Sequence, residues 1–297
     1  MNIEIDFLAR LLGIATNSIT LAVFMRKKFE TFSARNIFIS LILADTFKLI
    51  IMIILYNFAL VTRFMSELAC RLIDYFEAFT SALPMFLVTF ASIDRFFYIK
   101  YPNFKFNRNL IILLIISFAI IYSSTFAILP DEPKAFSLNR TNTNYSSLKQ
   151  NYTFDCSAPL AFFLTETLVS QLIPILITFL FSCLLIHTIF KSRLKLLRLT
   201  SRQDRRKLLR DIKFAISTLI INISYVLLNL PLYIYFILNK INSKQNYFES
   251  LSKFVFLLNV FSYGLNFYIL IISNLIFRQE FLVMFCRTKT AEPSTTN

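Results

Sequence analysis

Apolar runs of about twenty residues recur along almost the whole of this chain, and each is long enough to cross a bilayer as a helix. They cover residues 7–25, 36–60, 71–98, 109–130, 161–190, 211–238 and 250–272. Lipid offers the backbone no hydrogen-bond partners, so an isolated spanning segment has to satisfy its own N–H and C=O groups as a helix. The chain is 56% hydrophobic and only 16% charged, with a mean hydropathy of +0.62. That leaves too little polar surface to cover a soluble core. These features predict an all-α membrane protein: one domain over 1–286 built as a seven-helix bundle, a short amphipathic eighth helix at 274–286, and a tail at 287–297. The run at 36–60 is the least uniform, because it carries Asp45 and Lys48.

A net charge of +14 invites a nucleic-acid reading, but its distribution argues for topology. If the first span starts outside, the inner segments hold 21 Lys/Arg against 6 Asp/Glu, and the outer segments and helix mouths hold 9 against 10. Cytoplasmic loops carry the excess of basic residues. The N-terminus is therefore expected outside and the tail inside, and nucleic acid is not an expected partner. Contact with anionic inner-leaflet lipid is a secondary role for the basic residues. The first apolar run follows Asp6 directly, with no basic segment before it and no small-residue cleavage site. It is expected to act as its own insertion signal. With only a few residues ahead of it, ligand would have to bind among the helices and loops.

Depth then sorts the cysteines and sugar acceptors. From Cys70 to Arg95 is 25 residues, about 37 Å of helix at 1.5 Å per residue, against a hydrocarbon core about 30 Å thick. One helix can hold the cysteine at the outer face and the arginine at the inner face. Cys156 is the second outer cysteine, and on the oxidising side the two can bridge; two free thiols are the alternative. The loop at 131–160 carries three acceptor triplets, at Asn139, Asn144 and Asn151, each followed two residues later by Ser or Thr. Their clustering in the loop that charge places outside points to glycosylation. Cys183, inside the fifth run, is expected to be ordinary packing. Cys286 ends the inner amphipathic segment, where palmitoylation and a free thiol both remain open.

The local motifs resemble those of the rhodopsin-like G-protein-coupled receptors, over essentially the whole chain. Gly13 and Asn17 are similar to the first-helix Gly-Asn signature. Leu43-Ala44-Asp45 is similar to the second-helix motif, and Asp94-Arg95-Phe96, with Tyr101-Pro102 downstream, resembles Asp-Arg-Tyr. Pro174 and Pro231 match the fifth- and sixth-helix prolines. Asn266-Phe267-Tyr268-Ile269-Leu270 resembles Asn-Pro-x-x-Tyr, and Phe277-Arg278 the short eighth helix. Phe in place of Pro at that motif, with Asn229-Leu230-Pro231 in the sixth helix, resembles divergent invertebrate peptide or chemosensory receptors. The chain departs from the family at Asn229, where many members carry tryptophan, at Leu270 in place of the motif tyrosine, and at Ser182 in place of a fifth-helix tyrosine.

The resemblance implies a plasma-membrane receptor whose partners are an extracellular peptide or small-molecule ligand and a heterotrimeric G protein, with no enzymatic activity and no cofactor. It implies that Asp94, Arg95 and Phe96 form the coupling motif. The arginine side chain is expected to face the cytoplasm; a snorkelling anchor is the bland alternative. It also implies an interior polar network of Asn17, Asp45, Ser262 and Asn266. In the family this network often holds sodium at the acid, but Pro84 replaces the usual third-helix hydroxyl here, so polar packing is favoured and no other metal is expected.

Towards the outer side, Cys70, Asp74, Glu77 and Ser81 fall on one helical stripe. Glu77 lies where amine receptors of the family place an acidic counterion, Glu166 is expected to face the same cavity, and Lys48 can reach Asp45 or Glu77. An acidic pocket for a cationic ligand and an internal Lys48–Glu77 ion pair both remain open. The rival classes are a transporter or channel and a receptor that binds without signalling. A transporter should show inverted repeats or broken spans, and no repeat is visible. An enzyme is disfavoured because the single histidine, His187, has no metal or nucleophile constellation around it.

Overall fold

The computed structural model describes residues 3–30, 32, 34–61, 67–101, 106–128, 167–196, 202–241 and 249–285. Every regular element among them is helical. The helices are α1 (Ile3–Phe24), α2 (Arg35–Val61), α3 (Glu67–Lys100), α4 (Arg108–Ile128), α5 (Thr167–Leu196), α6 (Arg202–Ile241), α7 (Glu249–Gly264), α8 (Asn266–Ser273) and α9 (Leu275–Phe285). Six of them are long and apolar enough to span a membrane by themselves, and α7 with α8 forms the seventh span. The fold is a seven-helix transmembrane bundle.

The expected spans coincide with helices, with three informative differences. The sixth apolar run starts at 211 and α6 at Arg202, so the helix is longer than the run and continues through the adjoining basic segment. The fifth run was expected from 161; its described part starts at Thr167 with one wide π-helical stretch, Thr167–Leu172, before the regular helix. Pro174 follows after Ile173 and cannot donate to the preceding turn, a natural place for the ladder to loosen. The seventh run is not one straight helix. It bends by 54° at Leu265, between α7 and α8. Sharp kinks need a local cause, and here Gly264 stands at the bend.

Packing places α3 at the centre and α4 at the edge. In the most apolar window of each, 67% of α3 is buried inside the protein and 17% of α4. The α4 residues Leu113, Leu114, Phe118 and Ile121 point out to where lipid would lie. The chain's only two glycines meet across α1 and α7. A Cβ on Gly264 would lie 3.0 Å from the Gly13 Cα, and one on Gly13 would lie 2.7 Å from the Leu49 Cδ1. Small residues are what allow membrane helices to approach this closely. Thr16 Oγ1 lies 3.3 Å from the Gly264 carbonyl, with nearer acceptors at 3.0 Å in the Leu12 and Gly13 carbonyls of its own helix.

At the inner end, phenylalanine rings do the packing. Phe24 stacks on Phe38 at 5.7 Å, Phe38 meets Phe214 edge-on at 5.2 Å, and Phe277 lies 5.7 Å from Phe24 and 6.2 Å from Phe267. These contacts join α1, α2, α6, α8 and α9. Asn274 starts α9 by accepting from the backbone N–H groups of Ile276 and Phe277 at 3.1 and 3.2 Å, as an N-cap side chain does. Glu280 then ties α9 to the turn after α1 through Arg26 at 2.9 Å and Lys28 at 2.8 Å.

Candidate functional site

The inner end of α3 carries a buried charge cluster. Asp94 is fully buried, and Arg95 pairs with its Oδ2, with Nε at 3.1 Å. The second oxygen, Oδ1, accepts from Arg108 Nε at 2.7 Å. The guanidiniums of Arg95 and Arg108 stand 4.9 and 5.8 Å from the centre of the Tyr98 ring, and that of Arg95 is 5.8 Å from the Phe214 ring on α6. Phe96 is buried against Phe181 of α5 at 5.5 Å. The expectation that the Arg95 side chain faces the cytoplasm is corrected. It is 4% exposed, folded inward onto its neighbour's carboxylate, and so it is no snorkelling anchor. The physical reason is local: a carboxylate one residue away inside the bundle outcompetes water across a longer reach. Sequence reasoning missed Arg108, whose charge was counted only towards topology.

Of the four residues expected in the interior network, two meet directly. Asn266 Nδ2 donates to Asp45 Oδ2 at 2.7 Å. Asn17 Nδ2 reaches the Tyr263 carbonyl at 2.9 Å, so it ties α1 to the backbone of α7. Ser262 turns away from Asp45; its hydroxyl donates to the Asn259 carbonyl at 2.7 Å and lies 3.4 Å from Asn229 Oδ1. A second network, absent from the sequence reading, surrounds Asn229. That side chain donates to the Tyr225 carbonyl at 2.7 Å and accepts from Asn259 Nδ2 at 2.6 Å. Asn229 thus fills the expected tryptophan position with a hydrogen-bonded link between α6 and α7. Deeper in the bundle, Asn222 Nδ2 donates to Ser92 Oγ at 2.7 Å, and Thr89 and Thr178 share a 2.9 Å bond. The available signal was the presence of Asn222, Asn229 and Asn259 inside apolar runs, where polar residues usually face the bundle interior.

Four buried side-chain atoms in this layer, Asn17 Oδ1, Asp45 Oδ1, Asn222 Oδ1 and Ser182 Oγ, have no hydrogen-bond partner among the described residues. For a cation at Asp45 the surrounding donor set is thin. Hard cations take several oxygens, but Pro84 supplies no side-chain oxygen and the Ser262 hydroxyl lies against Asn259 and Asn229. The residues present fit polar packing better than an ion site.

On the outer side, Lys48 is buried and donates to Ser81 Oγ at 2.7 Å. Glu77 is exposed, Asp74 is partly buried, and no ion pair of Glu77 occurs among the described residues. An unanticipated pair sits on α1. Arg10 bonds Asp6, four residues before it, and donates to the Met52 carbonyl of α2 at 2.7 Å, with both side chains buried. Opposite charges spaced i, i+4 on a helix were the available signal. Cys183 is a free thiol exposed on the surface of α5. Cys156, Cys286, Glu166, Asn139, Asn144, Asn151 and the side chain of Cys70 lie outside what is described.

The geometry accords with comparison to known families. Residues 16–269 match the family described as 7 transmembrane receptor (rhodopsin family). No curated protein matches the chain in a sequence search. The matched segment runs from the first span into the bent seventh and takes in α3 with its charge cluster and both polar networks. The chain therefore belongs to the rhodopsin family of seven-transmembrane receptors, multi-pass proteins of the plasma membrane.

Proposed function

We propose that the protein transmits an extracellular ligand signal, of the neuropeptide or chemosensory kind, to a heterotrimeric G protein. The observation that carries this reading is the buried Asp94–Arg95 pair, held at the inner end of the most central helix and in contact with α6 through Phe214. A charge kept inside by one neighbour can be released when helices repack, so the pair can report a shift between two helix arrangements. The differential affinity of the ligand for those arrangements drives the shift. The N-terminus lies outside, the loop at 131–160 bears sugars on Asn139, Asn144 and Asn151, Cys70 bridges Cys156, and Cys286 is palmitoylated. Glu77, Asp74 and Glu166 form the acidic side of the ligand pocket. The Lys48–Ser81 hydrogen bond supports this over an internal Lys48–Glu77 pair, since it leaves Glu77 exposed for a ligand cation.

A silent binder is the second reading. Leu270 and Ser182 stand where the family has tyrosines, and Ser182 Oγ is buried without a partner among the described residues. One experiment separates the two. Cells expressing the full chain with a promiscuous G protein are screened against peptide and small-molecule libraries by calcium release. A hit should lose its response in Arg95→Ala while surface expression persists, because Arg108 still neutralises Asp94. A ligand that binds yet promotes nucleotide exchange on no G protein tested would establish the silent reading instead.

A further inference from the structure

We infer that Arg108 is a positioning residue of the switch, which keeps the Asp94 carboxylate paired when Arg95 leaves it. This role rests on the signalling reading above. Asp94 is fully buried, and a buried carboxylate deprived of its cation is strongly destabilising. If Arg95 were its sole partner, swinging Arg95 towards the cytoplasm would strand that charge and make the rest state hard to leave. The structure divides the work between the two oxygens. Oδ2 faces Arg95, and Oδ1 accepts from Arg108 Nε at 2.7 Å. Arg95 can therefore depart without disturbing the second bond.

The placement of the two cations favours that departure. Arg108 is the first residue of α4, so its backbone is anchored, and its side chain is 17% exposed against 4% for Arg95. Both guanidiniums approach the one Tyr98 ring, at 4.9 and 5.8 Å. Two cations around a single carboxylate repel each other and leave a net positive cluster. Such a cluster can give up one arginine to a new acceptor, for which the carbonyl end of a docking helix has the right polarity. Arg108 thus holds Asp94 permanently and lowers the hold on Arg95.

The test uses the full chain in detergent and needs no ligand. Thermal unfolding is measured for Arg95→Gln, Arg108→Gln and the double variant, each with Asp94 and with Asp94→Asn. With Asp94 present, either arginine alone suffices to neutralise it, so each single variant costs little. The double variant should lose about 6–10 °C beyond the sum of the singles, a shift of the size a stranded buried charge gives. The excess should vanish with Asp94→Asn. Additive losses would overturn the role, since they would mean that Arg108 packs without sharing the charge.

A second arm measures binding of synthetic helices corresponding to the C-termini of the G-protein α-subunit classes. Arg108→Gln should weaken binding about tenfold, a difference of about 1.4 kcal/mol, and Arg108→Lys should restore most of it. In the Asp94→Asn background Arg108→Gln should change nothing. Binding unchanged or tightened in Arg108→Gln overturns the role and leaves the signalling reading standing. No binding by any variant, Asp94→Asn included, overturns the signalling reading and this role with it.

Discussion

The middle of the bundle and its inner end hold helices together by different chemistry. In the middle, the contacts that fix helix against helix are hydrogen bonds: Asn266 to Asp45, Asn259 to Asn229, Asn17 to the Tyr263 carbonyl. At the inner end they are interlocked rings, with Phe24, Phe38, Phe214, Phe267 and Phe277 contributed by five elements. Lipid tails are as apolar as these side chains, so apolar contact by itself gives no preference for another helix over lipid. In the hydrocarbon layer polar groups have partners only inside the protein, and that makes them selective. At the inner end the rings select by shape, beside the ion pairs of Asp94 with Arg108 and of Glu280 with Arg26 and Lys28. The difference teaches that burial is a weaker guide to energy here than the alternative environment each group would face.

Single substitutions can break or sharpen that contrast. The largest loss should come from Asn266→Leu, which leaves both Asp45 oxygens without a hydrogen bond among the described residues. We expect about 3 kcal/mol of destabilisation, the upper range for leaving a buried group unsatisfied, read as a fall in the unfolding temperature in detergent. Adding Asp45→Leu should recover part of it. Phe277→Ala removes a fully buried ring that touches Phe24, Phe29 and Phe267. With lipid close by, the cavity rather than the transfer from water sets its cost, so about 2 kcal/mol is expected. If Phe277→Ala proves costlier than Asn266→Leu, the rings and not the polar layer govern stability.

The smallest effects should come from the glycines, and they should be unequal. Gly264→Ala drives a Cβ to 3.0 Å from the Gly13 backbone, which only a shift of a helix can relieve; we expect about 1–2 kcal/mol. Gly13→Ala meets the tip of Leu49, which can rotate away, and should cost roughly half as much. Equal losses would mean that Leu49, itself fully buried, is as immobile as a backbone.

The seven spans were legible because spanning lipid imposes a length and a composition that few other constraints resemble. Asp94 and Arg95 were legible by depth and motif. Arg108 was not, since a basic residue in an inner loop is what topology demands in any case, and only folding decides whether it also turns inward. Ser262 was placed beside Asp45 by the family resemblance. Which way a hydroxyl faces depends on the rotation of α7, and the bend beside Gly264 resets that rotation between Ser262 and Asn266. The second network around Asn229 was hidden for a related reason. An isolated asparagine in an apolar run announces that it needs a partner without saying on which helix the partner lies.

The glycine contact between α1 and α7 has a consequence for motion as well as for fit. Ordinary helix pairs mesh ridge into groove, and moving one along the other means lifting each side chain out of its slot. Where Gly13 faces Gly264 there is no ridge to lift. The two backbones meet directly beside the bend of the seventh span, with the Thr16 hydroxyl 3.3 Å from the Gly264 carbonyl. At the bend the two glycines do not interlock, so motion of the inner half of that span against the first helix is resisted by the Phe24, Phe277 and Phe267 rings below it.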